Sequence, residues 1–341
     1  MYLASERPSK TPRPEIIEGI FRESQLVTVS GGFGAGKSPL LVDWAFCIAS
    51  GLKWCGRAVS PRPVLLLAHE TPDWSFWHTW ELLGQRYSIT PPGEPMFEAL
   101  LEAGSEENAS TAELLDVLTQ TTDKKLAWVE RKIAAKPNVV LAIDPFTLFL
   151  SVDTRKGTHI MALYKWARML HRRFPAVTFL FSFNLRKKSR MAKDRPSLLK
   201  DPRDWLEEAS GGLEIQTRSD VRIGMEYRGH AADGIHEFNG WRRGEAIEPM
   251  LLISVVMGED AQGKPLLAGF EPTPLVDEDV ADLLSPRMKT VYDGLVPGDT
   301  YTVADLAALL PRSTAYNLRN RLLKLGLVEA AQGGGFRRRA E

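Results

Sequence analysis

The chain has 341 residues, 44% of them apolar, enough for one large core of roughly 200–250 residues and a second small domain. Its 43 basic and 43 acidic side chains cancel, which excludes a global field drawing the protein to nucleic acid or an anionic surface; such attraction has to come from local clusters. The two cysteines, Cys47 and Cys55, match neither a zinc-ligand nor a secreted-disulfide spacing, no run approaches about 18 apolar residues, and the start MYLASERPSKTPRPE is polar, so a cytoplasmic protein without membrane contact is expected.

Residues 1–14 read as a polar tail. From Gln25 onward short β-prone runs alternate with longer helical ones, the pattern of a mostly parallel sheet covered by helices. Strands are predicted at 26–30 (LVTVS), 64–68 (VLLLA), 139–143 (VVLAI) and 177–183 (VTFLFSF). Helices are predicted at 37–50, 74–86, 111–135 with a break near Thr121, and 159–173. Shorter runs at 220–227, 235–241 and 249–256 predict an antiparallel continuation of the same sheet, completing a core over 15–257. Residues 258–285, acidic with Gly and Pro but little periodicity, read as a linker. Helical period returns at Pro286, and the order of helix PRMKTVYDGL, helix TVADLAALL, helix STAYNLRNRLLKLG and hairpin LVEAAQGGGFRRR suggests a winged helix-turn-helix domain over 286–341.

The segment GGFGAGKS satisfies G-x-x-x-x-G-K-[ST] and lies between an apolar strand and an amphipathic helix, where a phosphate loop has to lie. Its members are Gly31, Gly32, Phe33, Gly34, Ala35, Gly36, Lys37 and Ser38. Backbone N–H groups there are expected to surround the phosphates of ATP, with Lys37 on the terminal phosphates and the Ser38 hydroxyl on Mg²⁺. Pro39 follows the serine and has no N–H to offer a phosphate, which predicts looser nucleotide binding. VVLAID places Asp144 at a strand end, the candidate carboxylate for positioning Mg²⁺ through water, and VLLLAHE delivers Glu70 to the same edge of the sheet as candidate general base. Each acid also has a local reading, Asp144 opening a turn before Pro145 and Glu70 favouring a helix N-terminus.

Taken together, IIEGIFRESQLVTVSGGFGAGKSPLLVDWAFCIASG, KWCGRAVSPRPVLLLAHE and VVLAIDPF resemble the RepA-type branch of RecA-like ATPases, related to hexameric replicative helicases such as DnaB. The resemblance spans roughly residues 15–230. It implies a RecA-like P-loop fold and a homo-oligomeric ring, commonly of six subunits, with ATP at subunit interfaces and single-stranded DNA in the channel. Carried over by position, Lys37 and Ser38 hold phosphate and Mg²⁺, Glu70 is the catalytic glutamate and Asp144 the metal-site aspartate. Where the family often has His or Gln as a γ-phosphate sensor this chain has Asn184, followed by Arg186 and Lys187. SGGLEIQTRSD resembles the segment with the arginine that reaches into the neighbouring subunit, making Arg218 the candidate finger, with Arg222 or Arg186 as alternatives.

Residues 185–203 hold eight basic and two acidic side chains in an otherwise balanced chain. Arg186, Lys187, Lys188, Arg190, Lys193 and Arg195 are therefore candidates for contacting single-stranded DNA, against the plainer reading of a solvated loop. SVDTRKGTH at 151–159 is a second candidate channel loop. In the tail, nine basic residues against five acidic leave Arg319, Arg321 and Lys324 on the third helix available to duplex DNA, or to a subunit contact. The leading expectation is an ATP-driven single-stranded DNA translocase or helicase of plasmid, phage or mobile-element type. The alternatives are an ATP-switched DNA-binding regulator and a recombination or replication accessory ATPase without unwinding.

Overall fold

Strands that are buried on both faces read as unbroken apolar runs, and four such runs form the centre of this molecule. The computed structural model describes residues 12–102, 122–146, 157–184, 197–199, 202–207, 218–228, 233–259, 265–274, 284, 286–324, 328–331 and 335–338. Strands β1 (Glu15–Ile17) and β2 (Phe21–Arg22) pair with each other ahead of β3 (Leu26–Gly31), which feeds α1 (Lys37–Ser50). Then come β4 (Val64–Pro72), α2 (Asp73–Tyr87), β5 (Phe97–Glu102), α3 (Thr122–Ala135), β6 (Val140–Asp144), α4 (Gly157–Arg173) and β7 (Thr178–Asn184). They are followed by α5 (Pro202–Glu207), β8 (Val221–Tyr227), β9 (Ile235–Arg242), β10 (Glu245–Ala246), β11 (Met250–Glu259) and β12 (Pro265–Thr273).

The main sheet has the order β12-β11-β9-β8-β3-β7-β6-β4-β5. From β8 to β5 every pairing is parallel, and β9, β11 and β12 extend the sheet antiparallel. Alternation along the strands divides the core into two layers. Val27, Val29, Leu66, Ala68, Ala142 and Leu180 pack on the side of α1 and α2. Leu65, Leu67, Leu141, Ile143, Phe179 and Phe181 pack on the opposite side with Trp128 and Ile133 of α3 and Tyr164 and Leu170 of α4. This is the mostly parallel α/β architecture with helices on both faces that the sequence predicts.

Two expectations are corrected. Residues 220–227 were expected to run antiparallel, but β8 lies parallel to β3. The chain re-enters at the edge where β3 starts: Asp220 N–H donates to the Leu26 carbonyl at 2.9 Å and its Oδ2 accepts from Leu26 N–H at 3.0 Å, fixing the direction. The stretch read as a linker, 258–285, contains β12, which pairs with β11 and is held from outside the sheet by side chains of α1 and α2. Of the helix expected at 111–135, residues 122–135 form α3, and 111–121 lie outside the described residues.

Pro274–Glu341 forms a second unit, with α6 (Pro286–Asp293), β13 (Thr300–Tyr301), α7 (Val303–Ala307), α8 (Arg312–Lys324), β14 (Val328–Ala330) and β15 (Phe336–Arg338). Its antiparallel sheet has the order β13-β15-β14, and Leu306, Leu318, Leu322, Val328 and Phe336 are buried together. Thr302 and Asp305 form a reciprocal capping box at the start of α7. No helix among the described residues is long and apolar enough to cross a membrane.

Candidate functional site

The glycine-rich turn begins where β3 ends between its two parallel neighbours, with Gly31 in register with Asn184 of β7 and Met225 of β8. A Cβ on Gly31 would lie 2.5 Å from the Met225 carbonyl oxygen, so the strand approaches too closely for any other residue. Gly34 and Gly36 have φ of 76° and 91°, the left-handed region that only glycine enters readily. Gly36 then caps α1 with no side-chain hydrogen bond, and the helix has no acid in its first turn. No carboxylate of the helix itself therefore competes for its positive end. The ladder starts with Leu40 N–H donating to the Gly36 carbonyl at 2.9 Å, so the preceding N–H groups are uncommitted to it.

Lys37 stands first in α1 with only 6% of its surface exposed, and its Nζ donates to the carbonyls of Gly31 at 3.1 Å and Gly32 at 2.8 Å. A buried ammonium, the positive end of a helix and a turn of left-handed glycines thus converge on one small volume. The half-buried Ser38 hydroxyl follows, while Phe33 projects from the turn, 99% exposed. Pro39 falls within the first turn, where its missing N–H takes nothing from the ladder but removes one donor from the anion-binding end.

Asp144 ends β6, 6% exposed, and its Oδ1 accepts a hydrogen bond from the Ser182 hydroxyl of β7. By strand alternation Asp144, Ser182 and Asn184 all lie on the α1 side of the sheet, with β7 between the loop strand and β6. Among the described residues no cluster of three or more His, Cys, Asp or Glu is placed to hold a metal ion. A magnesium ion held by Ser38 and, through water, by Asp144 fits that donor set, since Mg²⁺ ordinarily keeps several waters and takes phosphate oxygens as ligands. Glu70 lies on β4 beside β6, two residues beyond Ala68, which is in register with Asp144. Its side chain lies outside the described residues.

Arg218 stands apart from this site. It is exposed and directly precedes the Ser219–Asp220 corner at the start of β3, whereas the loop leaves the other end of that strand, roughly 17 Å away at about 3.3 Å per residue. That distance exceeds the span of an arginine side chain. Arg218 instead lines a cavity of about 420 Å³ with four other cations, Lys165, Arg168 and Arg172 of α4 and Arg243. Asp220 pairs with Arg168 at 3.0 Å and Arg243 at 3.4 Å. Arg222, the alternative candidate, is the second residue of β8, opposite Thr28 of β3, with burial holding its pKa below the usual arginine value.

Arg186, Lys187, Lys188, Arg190, Lys193 and Arg195 lie outside the described residues, as does most of the loop at 151–159. In the second unit Arg319 is half-buried on α8 and donates to the Asn320 side chain at 3.1 Å. Arg321 and Lys324 lie on the same helix, their side chains outside the described residues.

Several residues bearing on the site were not singled out from the sequence. Asp43 of α1 is fully buried; its Oδ2 accepts from Trp54 Nε1–H at 3.0 Å and from Phe270 N–H of β12 at 3.1 Å. Burial pushes its pKa up to about 6, against the opposing pull of the Arg86 charge and these hydrogen bonds. Arg86 of α2 donates to the Ala268 and Phe270 carbonyls, at 2.5 and 2.8 Å, so α1 and α2 both grip β12. The WCGR turn is the other anchor of this network: Trp54 is buried, and Cys55 and Gly56 have φ of 48° and 78°. A lone acid in the apolar run VDWAFCIAS was the signal available for Asp43. His236 of β9, in contact with the loop itself, had none.

A family model described as AAA domain matches residues 3–189, more than half of the chain. No curated protein matches the sequence. Among solved structures, a KaiC-like protein from the hyperthermophilic archaeon Pyrococcus horikoshii OT3 aligns with 14% identity and a TM-score of 0.45, over 76% of this chain and 94% of that one.

Proposed function

The chain belongs to the AAA domain family, and on that premise we propose that this RecA-like P-loop ATPase is a ring-forming motor on single-stranded DNA, of plasmid, phage or mobile-element replication type. The placement of Lys37, buried within a left-handed glycine turn at the uncapped start of α1, supports nucleotide binding more than any other feature. Lys37 and the N–H groups of the first turn hold the terminal phosphates of ATP, and the Ser38 hydroxyl and, through water, Asp144 would hold Mg²⁺. Held there, Mg²⁺ would supply charge neutralisation for the phosphates. Glu70 accepts the proton of the water that attacks the γ-phosphorus, giving ADP and inorganic phosphate, and Asn184, in register with Gly31, hydrogen-bonds the γ-phosphate.

Assembly is supported by the position of Arg218. Lying at the edge of the sheet away from its own loop, it can complete only the site of another copy, as head-to-tail packing of identical subunits allows. A ring of six copies is the proposed form, with the basic residues of 185–203 contacting the phosphates of the strand in the channel. The order of helices and strands in Pro274–Glu341 supports a winged helix-turn-helix, in which α8 would offer Arg319, Arg321 and Lys324 to duplex DNA.

That same unit, together with Pro39, favours a second reading, an ATP-switched DNA-binding regulator that does not unwind. Hydrolysis measured with and without single-stranded DNA at two protein concentrations, beside a forked-duplex unwinding assay, separates the two. DNA stimulation that grows with protein concentration, together with unwinding, is the result the motor reading predicts. A slow rate indifferent to DNA and to concentration overturns it. Specific duplex binding lost on deleting residues 286–341 would then identify the regulator.

A further inference from the structure

The phosphate loop is held from behind by a residue 201 positions away in sequence. β9 places His236 opposite Tyr227 of β8 and Leu252 of β11, with none of its surface exposed. Its Nδ1 lies 3.1 Å from the carbonyl oxygen of Ala35, and its Nε2 lies 2.8 Å from the hydroxyl of Ser254 on β11. Burial holds the imidazole pKa down at about 4, so the ring is neutral under ordinary conditions. A carbonyl only accepts, so the single ring proton sits on Nδ1 and the Ser254 hydroxyl donates to Nε2. The ring also packs on the loop glycine: a Cβ on Gly36 would lie 3.0 Å from His236 Cε1.

The tethered carbonyl belongs to the Ala35–Gly36 peptide unit, which leads into a glycine at φ 91°, so no side chain on its C-terminal side resists rotation of the plane. The trans peptide is planar, so a carbonyl drawn toward His236 turns the Gly36 N–H to the opposite side, into the turn. Rotated the other way, the same peptide would present a carbonyl oxygen to an anion.

We propose that His236 is a positioning residue for the phosphate loop, whose Nδ1–H locks the Ala35–Gly36 peptide with its N–H facing the bound phosphates. The inference rests on reading the loop as a nucleotide site and adds to it a residue of the antiparallel extension, held in its tautomer by Ser254. Through it the β9–β11 part of the sheet is tied to the affinity for nucleotide.

The test is calorimetric titration of full-length wild type, His236→Leu, His236→Asn and Ser254→Ala with Mg²⁺ and ADP, beside urea unfolding of each without nucleotide. Leucine keeps the bulk and loses the donor, and its Kd is expected to rise about tenfold, the worth of one hydrogen bond to a charged group. Asparagine, whose amide N–H replaces Nδ1–H, is expected to recover most of that loss, and Ser254→Ala to cost less than about threefold. A merely structural role would lower the unfolding midpoint of the leucine variant while its folded fraction binds ADP as wild type does, with no rescue by asparagine; that result overturns the proposal. Absence of binding by the wild type would instead overturn the nucleotide-site reading beneath it. If the leucine variant does not fold, ¹⁵N NMR of the wild-type imidazole decides, with the Nδ1–H tautomer expected and Nε2–H contradicting the proposal.

Discussion

Replacing Pro39 with alanine is expected to tighten nucleotide binding. The α1 ladder begins with Leu40 N–H on the Gly36 carbonyl at 2.9 Å, so a new N–H at position 39 has no carbonyl of the helix to bond and stays at the anion-binding end. No acid and no capping side chain stands there to take it up. A hydrogen bond to a charged acceptor is worth about 1.5–3 kcal/mol, of which some is lost in stripping water from the new donor. A net gain of about 1.4 kcal/mol corresponds to a tenfold lower Kd. The freed backbone should meanwhile cost the fold about 0.4–1 kcal/mol through a more disordered unfolded chain. Calorimetric titration with Mg²⁺ and ADP measures the first effect and urea unfolding the second. An unchanged or weaker Kd in a folded variant would refute the reasoning, because it would mean that the first turn of α1 does not face the phosphates.

Asp43→Asn should flatten part of the pH dependence of stability. Because burial raises the Asp43 pKa from 3.8 to about 6, its protonated form stabilises the fold. That contribution is full below the unfolded pKa and lost as pH rises through about 6, amounting to roughly 3 kcal/mol. Urea midpoints of wild type and variant should therefore diverge across that window in favour of asparagine and run parallel above it; parallel curves throughout would contradict the assignment. Gly31→Ala, whose Cβ would meet a backbone oxygen at 2.5 Å, should cost about 1–3 kcal/mol, whereas Gly32→Ala, with nothing within 4 Å, should stay within about 0.5 kcal/mol. In the second unit, Leu318→Ala removes a side chain with 0% exposure and should cost about 2–5 kcal/mol, read by thermal unfolding of the full chain.

The parallel centre of the sheet was legible because β3, β4, β6 and β7 are buried on both faces and so carry unbroken apolar runs, and the loop was legible because its glycines and lysine are dictated locally. The sequence does not predict β5 because Glu98 interrupts its apolar pattern; Lys132 of α3 at 2.7 Å and Lys136 just beyond that helix at 3.4 Å make the acid tolerable on an edge strand. β12 reads as linker in the sequence because Pro265, Gly269 and Pro272 are turn-prone residues. Its conformation is imposed from afar by Asp43, Arg86 and its partner β11, and Gly269, at φ 85°, leaves room where a Cβ would lie 2.6 Å from Asp43 Oδ1. The contact of His236 with Ala35 joins two segments whose proximity only the folded sheet creates, so no local pattern could disclose it. The site was thus readable where one segment determines it and unreadable where its support comes from a distant strand.

The central claim is that the Gly31–Ser38 loop binds and hydrolyses ATP. The most direct measurement is phosphate release from Mg²⁺ and ATP by the purified full-length protein beside Lys37→Ala, with folding of both checked by circular dichroism. Turnover by the wild type that falls at least about a hundredfold in the variant is the predicted result, since the lost ammonium is the charge placed on the terminal phosphates. Equal rates in the two folded proteins, or no phosphate release by either, would contradict it.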